Sequence, residues 1–498
     1  MYLDRDHKTT LDAVKYSYCI SDSSSVSDMV YSPAKTVDLD KGWEWKQRNP
    51  SLAYARDEVA LPFVPSGTDP VSGWHRASAF PSEIHVELLN EKLIPDPFIE
   101  FNEHKVQWVG LEEWLYKTTF PFEGGADGEH TELVFEGLDT FADVYLNGES
   151  ILAADNQFRT WIVSLTFDQL KAENVLLLHF KSASKIAKEL EAKYGRVRAG
   201  STNLGDPSRV YVRKAQYDWR WDWGPELMTV AVPHPRYDAV QQHRRHPPCS
   251  HHAEGRAGVA IRTEGVTVSL ASPDANGESE TRGVVEWTFG MDEVALWWPV
   301  GYGAQALYNL EVILMDEVWR HRLRHEHAAD RLPQHLARPG AARARGPVRQ
   351  RQTFLFEVNG VRIFVGGAQT LSRSNWVPCD NFLTRVTPER LRAWLTLLRD
   401  GNQNMVRLWG GGVYEPDAFY DACDGKSHRL PMHAPANPVQ SSASSSGRTS
   451  SLPAASTPAH AEFVESVRRE AEDNVRRLRH HPSFALFCGN NEGTRPRI

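Results

Sequence analysis

The sequence predicts a multidomain β plus α/β protein, on three observations. Short strands with turn punctuation fill the first half, a second β-patterned stretch follows, and strand and helix alternate after Thr353. At 498 residues the chain has room for about three domains of roughly 150 residues each. The divisions read from the pattern are an N-terminal tail (1–39), a first β domain (40–230), a second (231–352) and an α/β part (353–498).

From about Trp43 to Met228 the texture is all β. In "ELVFEGLDTFADVYLNGESILAAD" an apolar run is followed by a run alternating at Ala142, Val144 and Leu146, and Asn147-Gly148 then signals a type I′ hairpin. "NVLLLHFKSAS" reads as another buried strand, so this domain is a sandwich or jelly roll. Residues 258–314 continue as a smaller sandwich through "GVAIRTEGVTVSL", "GVVEWTFG" and "YNLEVILM". Its flanks, 234–257 and 319–352, are rich in Arg, His and Pro and show no strand period.

After Thr353, "FLFEVNGVRIFVGG" reads as a hairpin leading into a buried strand. "TPERLRAWLTLLRDGN" reads as a helix with Thr387 as N-cap, Pro388 at its first position and Gly401 near its stop. "NMVRLWGGG" is a strand and "EPDAFYDACD" a helix. "AEFVESVRREAEDNVRRLRHH" places Phe463, Val467, Ala471, Val475 and Leu478 on one stripe, and "FALFCG" is the next strand. The alternation means a parallel sheet or barrel, and three clear strands are too few to close one.

Composition excludes several classes. A net charge of -8 does not suit a nucleic-acid or anionic-membrane partner, which requires a basic face. The five Cys show no C-x-x-C spacing, so neither a disulfide framework nor a zinc ribbon is indicated, and reduced thiols fit a cytoplasmic protein. The N-terminus has no apolar h-region, and no window reaches 18 apolar residues. The 16 Trp suit either ring stacking on sugars or plain packing. His243, His246, Cys249, His251 and His252 could bind a metal and the Arg-rich 320–351 RNA, but neither stretch shows a fold that would fix ligands. Gly410 to Gly412 are not followed by Lys-Ser/Thr, so they read as a tight turn next to substrate, not a phosphate loop.

Two places could carry chemistry. Glu492 follows Asn491 at the C-terminal lip of a strand, where barrel loops converge, and a carboxylic acid there can protonate a leaving oxygen and then deprotonate water. "YDWRWDWGP" alternates Trp219, Trp221 and Trp223 with Arg220 and Asp222. An extended backbone would put three indoles on one side and an ion pair on the other, suited to sugar C–H faces and hydroxyls. A packed sandwich corner would use the same pattern.

With these motifs in view, the chain resembles the fungal, intracellular type of β-mannosidase in glycoside hydrolase family two. The resemblance rests on "IPDP" with "FIEFNEHKVQWVGLEEWLYKTTF", on "VRKAQYDWRWDWGP", "NWVPCDNF", "NMVRLWGGGVYE" and "RRLRHHPSFALFCGNNE", over about residues 40–230 and 353–492. It implies an N-terminal jelly-roll β-sandwich, an immunoglobulin-like β-sandwich and the first part of a catalytic (β/α)₈ TIM barrel. The implied activity is retaining, exo-acting removal of terminal non-reducing β-mannose, with no metal and no cofactor. Glu492 falls on the acid/base position and Asn491 on the residue that holds the 2-hydroxyl. Asp222, with Trp221 beside it, falls on a carboxylate lent by the first domain; Trp376 matches a pocket Trp and Arg407 a supporting residue. The expected partners are β-mannoside oligosaccharides and, for the intact enzyme, a second copy of itself.

The chain departs from the pattern in three places. The nucleophile, a second Glu, is expected beyond the last residue, and "QTLSRS" interrupts a Gly-Ala-Asn-Trp at Ala368 and Asn375. The third barrel strand after Asp424 is replaced by a Ser-rich run in which Ser441 to Ser450 equals the family strand read one nucleotide late. The chain as written is therefore expected not to hydrolyse mannosides and to aggregate or fold only in its first domain. The alternative reading is a non-catalytic mannoside-binding remnant.

Overall fold

One apolar cluster draws its side chains from two β-sheets, and this makes the first domain a sandwich. The larger sheet runs His75–Arg76, Glu44–Gln47, Trp114–Pro121, Glu173–Phe180, Ala142–Leu146, Glu149–Ala154. The smaller runs Trp161–Leu165, Glu129–Phe135, Pro235–Arg244, Met29–Asp38. Trp45, Trp114, Tyr116, Val144, Leu176 and Leu178 from the first meet Leu133, Phe135 and Leu165 from the second. Burying a large apolar side chain contributes roughly 1.5–3 kcal/mol each, so this cluster is the chief source of the domain's stability. The expected alternation holds, with Ala142, Val144 and Leu146 buried. So does the hairpin: Asn147 at φ +53° and Gly148 at φ +88° are both left-handed, as a type I′ turn requires.

This computed structural model describes residues 14–24, 29–49, 51, 56, 73–122, 129–197, 205–232, 235–244, 248–254, 260–267, 279–289, 295–307, 309–315, 322–328, 356–365, 375–425, 439–442, 458 and 460–488. For 14–36, 129–130, 235–289, 309–328, 375, 439–442 and 488 the description is of backbone alone.

Several strands lie where the sequence pattern gave none. Val14–Ser24 and Met29–Asp38 occupy the stretch read as a tail, the first pairing with Ser279–Phe289 and the second with Pro235–Arg244. Pro248–Glu254 and Arg322–Ala328 occupy the Arg/His/Pro flanks, in a four-stranded antiparallel sheet with Ala260–Thr267 and Asn309–Met315. Ladder hydrogen bonds are made by backbone groups, so a strand needs no apolar period of its own to join a sheet.

The C-terminal part is a parallel sheet in the order Asn375–Trp376, Val406–Leu408, Val439–Ser442, Phe484–Cys488. Among the described residues it has four strands, not three. The Ser-rich segment supplies the third, against the expectation that it could not fill that slot; the slot is held by backbone pairing of 439–442 with both neighbours. Helix Pro388–Asp400 begins as the sequence indicates, with Thr387 Oγ1 accepting from the Arg390 N–H. Helix Asp417–Asp424 ends at Gly425, left-handed at φ +94°.

Helix Ala461–Leu478 departs from its apolar stripe. Its buried residues are Phe463, Ser466, Glu470, Asn474 and Leu478, whereas Val475 is exposed. The polar middle of this face docks on the sandwich. Glu470 accepts from Arg213 Nε at 2.7 Å and from Asn156 Nδ2 at 3.1 Å, and Asn474 Nδ2 donates to the Phe158 carbonyl at 2.8 Å. A buried carboxylate and guanidinium are tolerable only when paired and hydrogen-bonded in this way.

Candidate active site

The sandwich reaches over the C-terminal end of the parallel sheet through one small hairpin. Trp219–Trp221 pairs with Gly224–Glu226, Trp221 opposite Gly224, which leaves Asp222 and Trp223 as a two-residue turn. The strand alternation therefore stops at Trp221. Trp219 and Trp221 are buried, while Asp222 and Trp223 project into solvent with Trp223 half exposed. The expected single side of three indoles becomes two packed indoles and an exposed third, because the chain reverses before the third.

The turn meets a Trp that sequence reasoning passed over. Trp409, after strand Val406–Leu408, makes T-shaped contacts with Trp221 (ring centroids 4.9 Å, 70°) and Trp223 (5.3 Å, 69°). Such edge-to-face geometry suits the ring quadrupoles. Gly411 makes the approach possible, since a Cβ there would lie 2.3 Å from the Trp409 ring, and its carbonyl accepts from the Gln216 N–H at 2.8 Å. The glycine run is thus a tight turn, as read, joined to the sandwich.

Below this lies Trp376. The Trp409 N–H donates to the Trp376 carbonyl at 2.9 Å, and Asn375 and Trp376 stand in register with Arg407 and Leu408. The Trp376 indole is buried against Phe419 and donates to Glu415 Oε1 at 2.7 Å. Glu415, another residue the sequence reading missed, is fully buried, and burial raises its carboxyl to about 7, against the opposing Trp376 hydrogen bond and the Arg477 charge. Its signal was its place at the end of "GGGVYE". Arg407 is half-buried on the neighbouring strand.

Trp376 and Arg407 thus lie on adjacent strands of one sheet and Trp221 meets its end through Trp409, with Asp222 exposed in the turn that follows Trp221. Asn491 and Glu492 lie outside the described residues. Strand Phe484–Cys488, which precedes them, runs parallel in the same sheet, so its C-terminal end points the same way as those of the strands that carry Trp376 and Leu408.

Beneath the hairpin lies a buried charge cluster. Lys214 Nζ contacts Asp139 Oδ2 and Asp218 Oδ2 and donates to the Thr229 carbonyl at 3.0 Å; Glu83 Oε2 accepts from Thr384 Oγ1 at 3.0 Å, across to the parallel-sheet part. Burial raises Glu83 to about 8, with Asp218 adding to it, and raises Asp218 to about 7 against the pull of Lys214. Glu83, raised to about 8 by burial and by the neighbouring acids, holds its proton at neutral pH. His85 nearby is driven down to about 3 by burial and the Lys214 charge.

Among the described residues, Asp421, Asp424 and His481 bring ligand-type atoms within 4.8 Å of one another. Asp424 already accepts from Ser483 N–H at 3.0 Å, from Ser483 Oγ and from His481 Nδ1 at 2.8 Å, a knot that ties helix to strand without an ion. The His/Cys run at 243–252 lies in residues whose side chains are outside the description. No helix among the described residues is long and apolar enough to cross a membrane.

Residues 43–233 match the family described as "Glycosyl hydrolase 2 galactose-binding domain-like". The likeness extends to the fungal proteins named beta-mannosidase B, with 36% identity over 486 residues to that of Thermothelomyces thermophilus (93% of this chain, 50% of the relative). That of Aspergillus fumigatus is 36% identical over 439 residues (84% and 48%). Among solved structures, a β-D-mannosidase from Dictyoglomus thermophilum superposes with a TM-score of 0.70 at 26% identity, covering 92% of this chain and 52% of that one. The Amycolatopsis orientalis exo-chitosanase CsxA, at 0.58 and 17% (91% and 49%), shares the fold. The chain spans about half the length of the curated relatives it matches.

Proposed function

We propose that these residues form the sugar-binding half of a retaining exo-β-mannosidase. The observation that carries the proposal is the Trp221–Trp409 contact, by which a carboxylate-bearing sandwich turn stands over the C-terminal end of a parallel sheet beside Trp376. In this reading Trp376 floors the terminal mannose, Asp222 takes two of its hydroxyls, and Trp221 sets the turn. Arg407 supports the strand end. Asn491 holds the 2-hydroxyl and Glu492 is the acid/base; the second carboxylate of a retaining pair, about 5–5.5 Å from the first, comes from elsewhere in the intact enzyme. The jelly roll, an immunoglobulin-like middle domain and the beginning of a (β/α)₈ barrel are the finer fold that accompanies this reading. Its substrates are β-mannoside oligosaccharides, its setting the cytoplasm and its assembly a homodimer.

Leaving-group dependence tests the central role. In an intact enzyme carrying these residues, Glu492→Gln should slow hydrolysis of alkyl β-mannosides, whose leaving oxygen needs a proton, at least tenfold more than that of p-nitrophenyl β-mannoside. Equal losses on both substrates would remove Glu492 from the acid/base role.

A further inference from the structure

We propose that Trp223 is the platform for the second sugar, the one on the leaving-group side of the scissile bond. The inference rests on the β-mannoside reading above. It starts from an asymmetry inside the hairpin: Trp219 and Trp221 are 1% and 8% exposed, whereas Trp223, two residues on, is 50% exposed. A single exposed apolar residue is ordinary on a protein surface. This one is held in place, its ring in a T-shaped contact with Trp409 at 5.3 Å and 69°.

Trp409 is fixed in turn by its N–H bond to the Trp376 carbonyl and by the missing Cβ of Gly411. Trp376 and Trp409 are joined through the backbone and Trp409 and Trp223 through their rings, and exposure rises from the buried Trp376 through the half-buried Trp409 to Trp223. The neighbouring turn residue, Asp222, is exposed too and offers a carboxylate to hydroxyls. A chain of pyranose rings presents alternating C–H faces and hydroxyl edges, so the terminal ring on the floor leaves the next ring at the outer indole. The stacked ring need not be mannose, since an indole face reads C–H bonds and not the 2-hydroxyl. Trp223 therefore selects for length of substrate, and the floor selects for the terminal sugar.

The test is calorimetric titration of the full 498-residue chain with methyl β-mannoside and with β-1,4-mannobiose. The parent chain should bind the disaccharide about tenfold more tightly than the monosaccharide, an aromatic stacking contribution of ordinary size. Trp223→Ala should bring that ratio close to one, and Trp223→Phe, which keeps an aromatic face, should retain part of it. Circular dichroism checks that each variant keeps the sandwich. A ratio left intact in Trp223→Ala overturns the platform, as does an equal loss on both ligands, which would make Trp223 a support of the floor. If the parent chain binds neither saccharide, the β-mannoside reading itself fails and the platform with it.

Discussion

The Trp376 indole has one polar atom and, in its buried position, one place to put it. Its N–H donates to Glu415 Oε1, and Glu415 is buried as completely as the ring it holds. Removing the acceptor leaves a buried donor unpaired, which costs about 1–3 kcal/mol, and frees the ring to turn. Glu415→Ala should therefore weaken β-mannoside binding about tenfold or more, whereas Glu415→Gln, which keeps a carbonyl oxygen in place, should restore most of it. Titration of both variants checks this, and a Gln variant as weak as Ala would show that positioning of Trp376 is not what Glu415 does. Trp221 and Trp376 were legible in the sequence because each sits in a long motif. The Trp376–Glu415 pair was not, since its members are 39 residues apart and no local spacing rule joins them.

Elements were legible where their causes are local. The Asn147-Gly148 turn needs two left-handed residues in succession, and the Thr387 cap needs an acceptor at a helix start; both are written in adjacent residues. The face of helix 461–478 was misread because its partner is remote. Phe463 and Leu478 are apolar anchors at the ends, but Ser466, Glu470 and Asn474 between them are buried by the sandwich surface around Asn156, Phe158 and Arg213. A hydrophobic period finds the face an element turns to an apolar core and misses one turned to a polar interface. The 439–442 strand and those in the Arg/His/Pro flanks went unread for a related reason: they are set by pairing with neighbours and not by their own pattern.

At the scale of the whole molecule, the sandwich and the parallel sheet are locked by buried polar groups, and this gives stability a pH dependence. Glu83, Asp218 and Glu415 all have folded-state values raised above the ordinary carboxylate range, to about 8, 7 and 7. The folded chain then holds protons that the unfolded chain has released, so their contribution is full below about pH 4 and is lost as pH rises through 7 to 8. His85, lowered to about 3, acts oppositely but only below about pH 6.5. Above about pH 6.5 these three carboxyls slope stability downward, and urea unfolding should show a loss on the order of 3 kcal/mol by pH 8.5, diminished in Glu83→Gln. A flat profile would mean that the cluster is open to water. The same interface delivers Asp222 to the end of the sheet, and the central claim is that one sugar site is shared between the two parts. Calorimetric affinity of the 498-residue chain for methyl β-mannoside, compared between the parent and Asp222→Ala, tests that claim most directly. A carboxylate accepting hydroxyl hydrogen bonds contributes about 1.5–3 kcal/mol, so the account predicts a loss of tenfold or more with the sandwich still folded; an unchanged affinity would contradict it.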